Sequence, residues 1–433
     1  MKTRNNRTQM TASWRRPLII LAALALLAAV LMLPLSLEAA TNVYSSARST
    51  AMGGAFTALA KGVNAPKYNP ANLGLQGFGN FGVELVSVGA SVTNNSFSLS
   101  DYNDYTGAVL TSSDKQDILD KIPAEGLSVD ADVRASALTV SLGRLAFSFN
   151  GVASADINLN KDLVNLILNG NTFADTINIT GSYSEGVSYA SFDVSYGFPL
   201  YTRGDRQLAV GLTAGYVRGL AIEEIVRLEG AATTFATGFS GAGEAVLRTA
   251  TNGTGYRLDV GAALKLNKNH AAGVRFENLI SNISWNDNCE EHGYIFEFDT
   301  ATVEDFDNDL VTSDDYTKDI AGFSTTLPAV MNAGIGKTSG RFLWAIDWTQ
   351  GFKRAPGSST KPRFSTGAEY SLLSFLPMRA GLMTGGDRST NFSFGGGLRF
   401  FGYYLDVAVV TGGSASVYST KGANVSLSTG IQF

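Results

Sequence analysis

The sequence predicts an all-β transmembrane fold, an antiparallel barrel of about fourteen strands with an N-terminal segment lodged inside it. Three observations carry this expectation. Apolar residues recur at every second position over runs of 10–13 residues. Only 16% of the 433 residues are charged, while glycine (47) and aromatics (10%) are abundant, against about 25% charged and about 7% glycine in soluble domains. Beyond residue 40 there is no 18-residue apolar stretch. A mature chain resident in a membrane must then cross as a closed barrel, the other fold that satisfies its backbone hydrogen bonds in lipid.

The chain begins with Lys2, Arg4, Arg7, Arg15 and Arg16, followed by 16 apolar residues from Leu18 to Leu33 and small residues at Ala39 and Ala40. This order is that of a secretory signal peptide (1–40), cleaved near Ala39/Ala40. Its removal takes away five basic residues and one acidic, leaving 28 basic against 37 acidic side chains, net −9. Such a charge balance excludes nucleic acid as a natural partner. Cys289, His270 and His292 are the whole supply of thiol and imidazole. That scarcity excludes an intrachain disulfide and argues against a metal centre, a cofactor site or histidine-dependent catalysis. No Ser/His/Asp grouping is defensible, so the expected protein is not an enzyme.

Residues 41–80 precede the first strand. Met52, Gly53, Gly54, Phe56, Leu59 and the Asn69-Pro70-Ala71-Asn72-Leu73 turn make this stretch too small-residue-rich and apolar for a disordered tail. It reads instead as a filler for the barrel.

Alternating runs then follow at 81–93, 131–142, 145–157, 185–197, 206–220, 255–266 and 270–284. Further runs lie at 325–337, 341–351, 361–372, 378–386, 389–400, 403–412 and 421–433, fourteen in all and even, as in single-chain bacterial barrels. In 256–266, Tyr256, Leu258, Val260, Ala262 and Leu264 oppose Arg257, Asp259, Gly261, Ala263 and Lys265; in 342–349, Phe342, Trp344, Ile346 and Trp348 oppose Asp347 and Thr349. Strand 206–220 has room to run on into 221–235. Short turns alternate with longer loops at 94–130, 158–184, 221–254, 285–324 and 352–360, which places the loops outside and the turns at the periplasm. Helical pieces are expected at 113–122 and 161–168.

The inward face carries few, mixed charges: Asp193, Arg257, Asp259, Lys265, Arg275, Glu277, Asp347, Arg363, Glu369, Arg379, Arg399 and Asp406. They suit wall-to-wall ion pairs or contacts to an inserted segment. Stretch 286–320 holds 12 acidic residues and one lysine. Asp305, Asp307 and Asp309 suggest calcium, but an EF-hand loop wants Gly and Glu where Leu310 and Tyr316 stand.

Ala47-Arg48-x-x-Ala51-Met52-Gly53-Gly54-Ala55, followed by Asn69-Pro70-Ala71-x-Leu73, resembles the N-terminal hatch of the FadL/PorV-like outer-membrane superfamily. Asn72 replaces the glycine usual there, and Lys61 an acidic residue. The resemblance implies a fourteen-stranded barrel plugged by its own N-terminus, with Met52, Gly53, Gly54, Phe56, Leu59, Asn69, Pro70 and Leu73 as hatch or gate residues. It implies uptake of a hydrophobic small molecule, fatty-acid-like or hydrocarbon, or alternatively a PorV-like role in holding a secretion partner protein. The terminal Phe433, closing an alternating strand, resembles the signal read by the outer-membrane barrel assembly machinery. Outer-membrane lipids would surround the wall.

Overall fold

The computed structural model describes residues 45–170, 176–301, 311–386, 388–414, 416 and 418–433. The signal segment 1–40 and the Asp305–Asp309 group lie outside the described residues.

Nineteen strands are described, β1 to β19 in chain order. They are β1 (Gly82–Asn94), β2 (Leu127–Leu142), β3 (Leu145–Leu159), β4 (Thr176–Asn178), β5 (Tyr183–Arg203), β6 (Arg206–Phe235) and β7 (Gly238–Thr251). Next come β8 (Thr254–Lys265), β9 (His270–Trp285), β10 (Asp287–Ala301), β11 (Val311–Asp319), β12 (Phe323–Thr325) and β13 (Val330–Ser339). The last six are β14 (Phe342–Gly351), β15 (Arg363–Leu373), β16 (Leu376–Gly385), β17 (Arg388–Phe400), β18 (Tyr403–Gly412) and β19 (Gly422–Gln432).

Among the described residues, fourteen of these strands form one closed antiparallel wall: β1, β2, β3, β5, β6, β8, β9, β13, β14, β15, β16, β17, β18 and β19. The β1–β19 ladder, from Gly82↔Gln432 to Thr93↔Gly422, seals the ring. Closure leaves no wall edge unpaired, which is what lipid demands. The alternation has its expected sense. Tyr216, Tyr256, Trp348 and Phe394 point outward, while Thr213, Asp259, Asp347 and Ser393 point inward and are at most 2% exposed. Phe433 lies outside, its ring stacked 6.4 Å from that of Phe81.

The excursions at the long-loop end hold more structure than their polar sequences foretell. Residues 221–254 and 285–324 are expected as loops apart from the run-on of strand 206–220 into 221–235; β6 does run on to Phe235, and much of the rest is strand as well. The upper part of β6 leaves the wall and pairs with β7, β7 pairs with β10, and β10 with β11, while β4 joins the other side of β6. The projection buries Ile222, Val246, Ala250 and Cys289 but is otherwise largely half-buried or exposed, and it carries no regular apolar alternation. It is held by ladders and cross-strand ion pairs, Glu224–Arg248 and Arg227–Glu244, each at 2.7 Å. Helices α3 (Leu99–Tyr105) and α4 (Ser112–Lys121) lie between β1 and β2, and α5 (Lys161–Asn169) follows β3. Leu119, Ile122 and Val164 pack α4 against α5.

Residues 45–80 lie within the ring and are almost wholly buried. The segment forms α1 (Ala47–Ala51), a single 3-10 turn at Gly62–Asn64, α2 (Ala65–Tyr68) and a second 3-10 turn at Pro70–Gly74. Gly53 and Gly54, at φ +64° and +83°, reverse the chain after α1 in the left-handed region that glycine tolerates. The Asn69 side chain accepts from the Ala71 N–H, and Pro70, which has no N–H to satisfy, starts the turn.

Candidate functional site

The inner segment meets the wall at main-chain level. A Cβ placed on Gly367 would lie 2.3 Å from the Met52 carbonyl oxygen, and one on Gly381 2.3 Å from the Gly53 amide nitrogen. Gly211 and Gly197 leave the same room for the Pro70–Gly74 turn. Leu59 fills the space over Gly336, and Leu73 packs with Ala65 and Ala146. Phe56 is fully buried, edge-on to Tyr68 at 5.4 Å, with the Arg48 guanidinium 5.2 Å from its ring centre.

Directional bonds fix the register. Asp347 accepts from the Phe56 and Thr57 amides at 3.0 and 2.8 Å. Asn69 donates to the Ala262 carbonyl at 3.0 Å, and Asn72 donates to the carbonyls of Thr57 and Ala60, both at 3.0 Å. The Asn72 amide thus ties the two halves of the segment together, a task that the glycine usual at this position has no side chain to perform.

Most of the inward charges form two networks, each containing both wall pairs and contacts to the inner segment. In the first, Arg48 makes a bidentate pair with Glu369, with both contacts at 2.8 Å. Arg379 joins Glu369 at 2.6 Å to Asp406 at 2.7 Å, and Arg399 completes the chain on Asp406 at 2.8 Å. In the second, Asp259 binds Arg275 and Arg257, and Arg257 continues to Asp193, which also accepts from Asn150. Asn278 bulges β9 at φ +51°, and its N–H reaches Asp259 at 2.9 Å. Arg275 also donates to the Lys67 carbonyl, and the Lys67 ammonium pairs with Glu84. Lys265 sits near the turns and donates to the Gln76 carbonyl.

Glu84 and Lys67 are ion-pair partners that sequence reasoning did not single out, and Arg48 entered it only as part of the hatch motif. Glu84 carried a usable signal, being one acid inside the otherwise apolar and small run Val83–Val92.

Above the inner segment the lumen is open and polar. A cavity of about 470 Å³ faces the long-loop end, lined by Asp130, Asp132, Asp156, Arg354, Arg363 and Lys421 among others. Arg363, one of the expected lumen charges, also lines a second space of about 120 Å³ directly over Thr57, Lys67 and Tyr68. A third, of about 70 Å³, shares Lys67, Arg134, Arg275 and Glu277 with it. The apolar space lies elsewhere. A groove of about 430 Å³ at the outer rim is lined by Val92, Phe97, Tyr102, Tyr105, Ile118 and Val129. At its edge Asp101 accepts from Lys121, a bond that raises the lysine above its ordinary range.

Among the described residues no cluster of three His, Cys, Asp or Glu side chains is placed to hold a metal. His292, half-buried on β10, meets Thr249, Thr317 and Glu290, and burial pushes the nearby Cys289 thiol up.

A model of a family of unknown function (DUF5723) matches residues 70–273, from the Pro70 turn into β9. No curated protein matches the sequence. Among solved structures, the deltaS2S3 mutant of the TodX monoaromatic hydrocarbon channel is similar at TM-score 0.52 and 14% identity, over 90% of this chain and 99% of that one. The P. putida toluene transporter TodX follows at TM-score 0.50 and 14% identity, over 92% and 99%. A Pseudomonas aeruginosa FadL homologue matches at 0.50 and 13%, over 92% and 100%. Identities this low speak for architecture alone, and the architecture this chain shares with them is the closed fourteen-stranded barrel of the FadL-like channels.

Proposed function

We propose that this chain is an outer-membrane transport barrel that passes a small molecule when residues 45–75 shift from their seat. The observation that carries this reading is the asymmetry of the lumen. One half is sealed by a segment bonded to the wall on all sides, and the other is a set of cavities that share lining residues and lead from the long-loop end down to that seal. With short turns at the periplasm, solute arrives from outside and the seal is the last barrier. The gate residues would be Met52, Gly53, Gly54, Phe56, Leu59, Asn69, Pro70 and Leu73.

The neighbours' described cargo and the rim groove both support a substrate with an apolar part. A bare hydrocarbon gains nothing from a lumen lined by Asp132, Arg134, Arg275 and Glu277, since it would displace water from charged groups and return no hydrogen bonds. The class that suits both regions is an amphiphile, with an apolar portion caught at the rim and a polar head that tolerates the lumen. Phe433 is read as the signal for the assembly machinery, and residues 1–40 as the export signal.

The test is deletion of residues 45–75 with conductance measured in planar bilayers. A raised conductance is expected, and an unchanged one removes the seal. Mass spectrometry of gently solubilised protein then separates cargo classes: retained lipid or fatty-acid-like molecules support transport, whereas a stoichiometric co-purified protein supports a secretion-partner role instead.

A further inference from the structure

The connection between β14 and β15 does not stay at the rim. Residues 352–362 read Phe-Lys-Arg-Ala-Pro-Gly-Ser-Ser-Thr-Lys-Pro. Pro356 and Gly357, the latter at φ +73°, form a tight turn closed by the Ser358 N–H on the Ala355 carbonyl at 2.8 Å. An exposed loop normally leaves its tip in water, yet here Ala355 and Pro356 are buried.

They are buried against the far wall. A Cβ on Gly357 would lie 2.9 Å from Asp132 Oδ1 and 3.2 Å from Ser154 Oγ. Arg354 reaches Asp156 at 3.3 Å and stacks 4.6 Å over the Tyr183 ring. Asp132 belongs to β2, and Ser154 and Asp156 to β3, the second and third strands of the ring. The loop departs from the ninth and tenth, so it spans a diameter. At its base the Gly351 N–H donates to Ser359, and Gly386 donates to Pro362. Gly357, Ser358 and Ser359 line both the large outer cavity and the small one above the inner segment.

We propose that residues 352–362 are an internal strap that constricts the lumen and selects its solutes, admitting small molecules that carry polar groups. The strap divides the lumen into an outer vestibule and an inner chamber. It sets Asp132 of β2 against Gly357 and Asp156 of β3 against the Arg354 guanidinium at the narrowing. Pore width and the charges that line it are what decide passage. The inference rests on the transport reading above, but the position of the strap is testable without it.

Three experiments decide. In the full-length protein, the pair Ser154→Cys and Gly357→Cys should form a disulfide on mild oxidation in native membranes. Its absence, with both thiols labelled separately in the folded barrel, overturns the crossing. For selectivity, liposome swelling with arabinose and with raffinose is measured after deletion of 45–75, with and without further deletion of 355–358. Removal of the strap should raise raffinose entry about threefold or more and arabinose entry less, since size discrimination follows pore width. Equal ratios of the two rates with and without the strap overturn the selective role. Arg354→Ala keeps the strap in place and should shift the reversal potential towards cations; an unmoved potential removes the guanidinium from the selecting charge. If the 45–75 deletion swells with neither sugar although the barrel is folded, the transport reading fails, while the disulfide result stands by itself.

Discussion

The two halves of the lumen are filled by opposite means. Towards the short turns, the inner segment lies so close to the wall that glycines replace side chains, and residues such as Met52, Phe56 and Ala71 are fully buried. Towards the long loops, one strap crosses an otherwise open, charged space. The lower half therefore resembles a packed core, in which small changes of volume are felt at once. The upper half behaves as a lined vessel, where charge and width matter more than packing. On the proposed reading the first is the barrier and the second the place of discrimination.

The strongest way to break this contrast is to deny the segment its seat. Gly367→Val should cost more than the roughly 1–3 kcal/mol usual for overpacking, because the new side chain meets the Met52 backbone rather than a movable side chain. Valine itself favours a strand, so the wall should close while the segment is expelled. The expected readout is a leak in planar bilayers with the folded barrel retained on unboiled gels. Gly396→Val, on the same sheet but facing Met378 at 3.6 Å, is the control and should leave the conductance closed. A leak of equal size from both variants would deny the seal its location.

A gentler perturbation tests whether the seal is also held by directed bonds. Asp347→Ala strands the Phe56 and Thr57 amides, and a hydrogen bond to a charged group contributes about 1.5–3 kcal/mol. Hydrogen exchange should quicken at residues 55–60 and stay unchanged at 47–51, which the Arg48–Glu369 pair still anchors. Uniform loosening of the whole segment would mean that it moves as one rigid body.

Legibility in the sequence follows the same division. The wall is readable because lipid on one side and a polar lumen on the other impose a period of two, as in Tyr256–Leu264. The inner segment is readable because close approach selects Gly53, Gly54 and Ala55, and because its turn carries Asn69-Pro70. The projecting β7, β10 and β11 are not, since only scattered positions such as Val246, Ala250 and Cys289 are buried and no regular apolar period results, while the ladder remains. The strap is not readable either. Pro356-Gly357 announces a turn, but nothing local says that the turn rests on Asp132 and Ser154, strands away across the ring. Pairings such as Lys67–Glu84 are likewise properties of the closed barrel.

The smallest expected effect sharpens the contrast from the upper side. Ser98 caps α3, its hydroxyl accepting from the Asp101 N–H while Asp101 accepts from the Ser98 N–H at 2.8 Å. Ser98→Ala removes one half of that reciprocal cap, a loss of about 1 kcal/mol. The helix borders the rim groove, and none of its residues is fully buried. Exchange should therefore quicken across residues 99–105 alone, with no change at the inner segment and none in conductance. A rim helix that loosens without opening the lower seal is what two independently built halves require. A conductance change from Ser98→Ala would instead couple them, and would make the groove part of the gate.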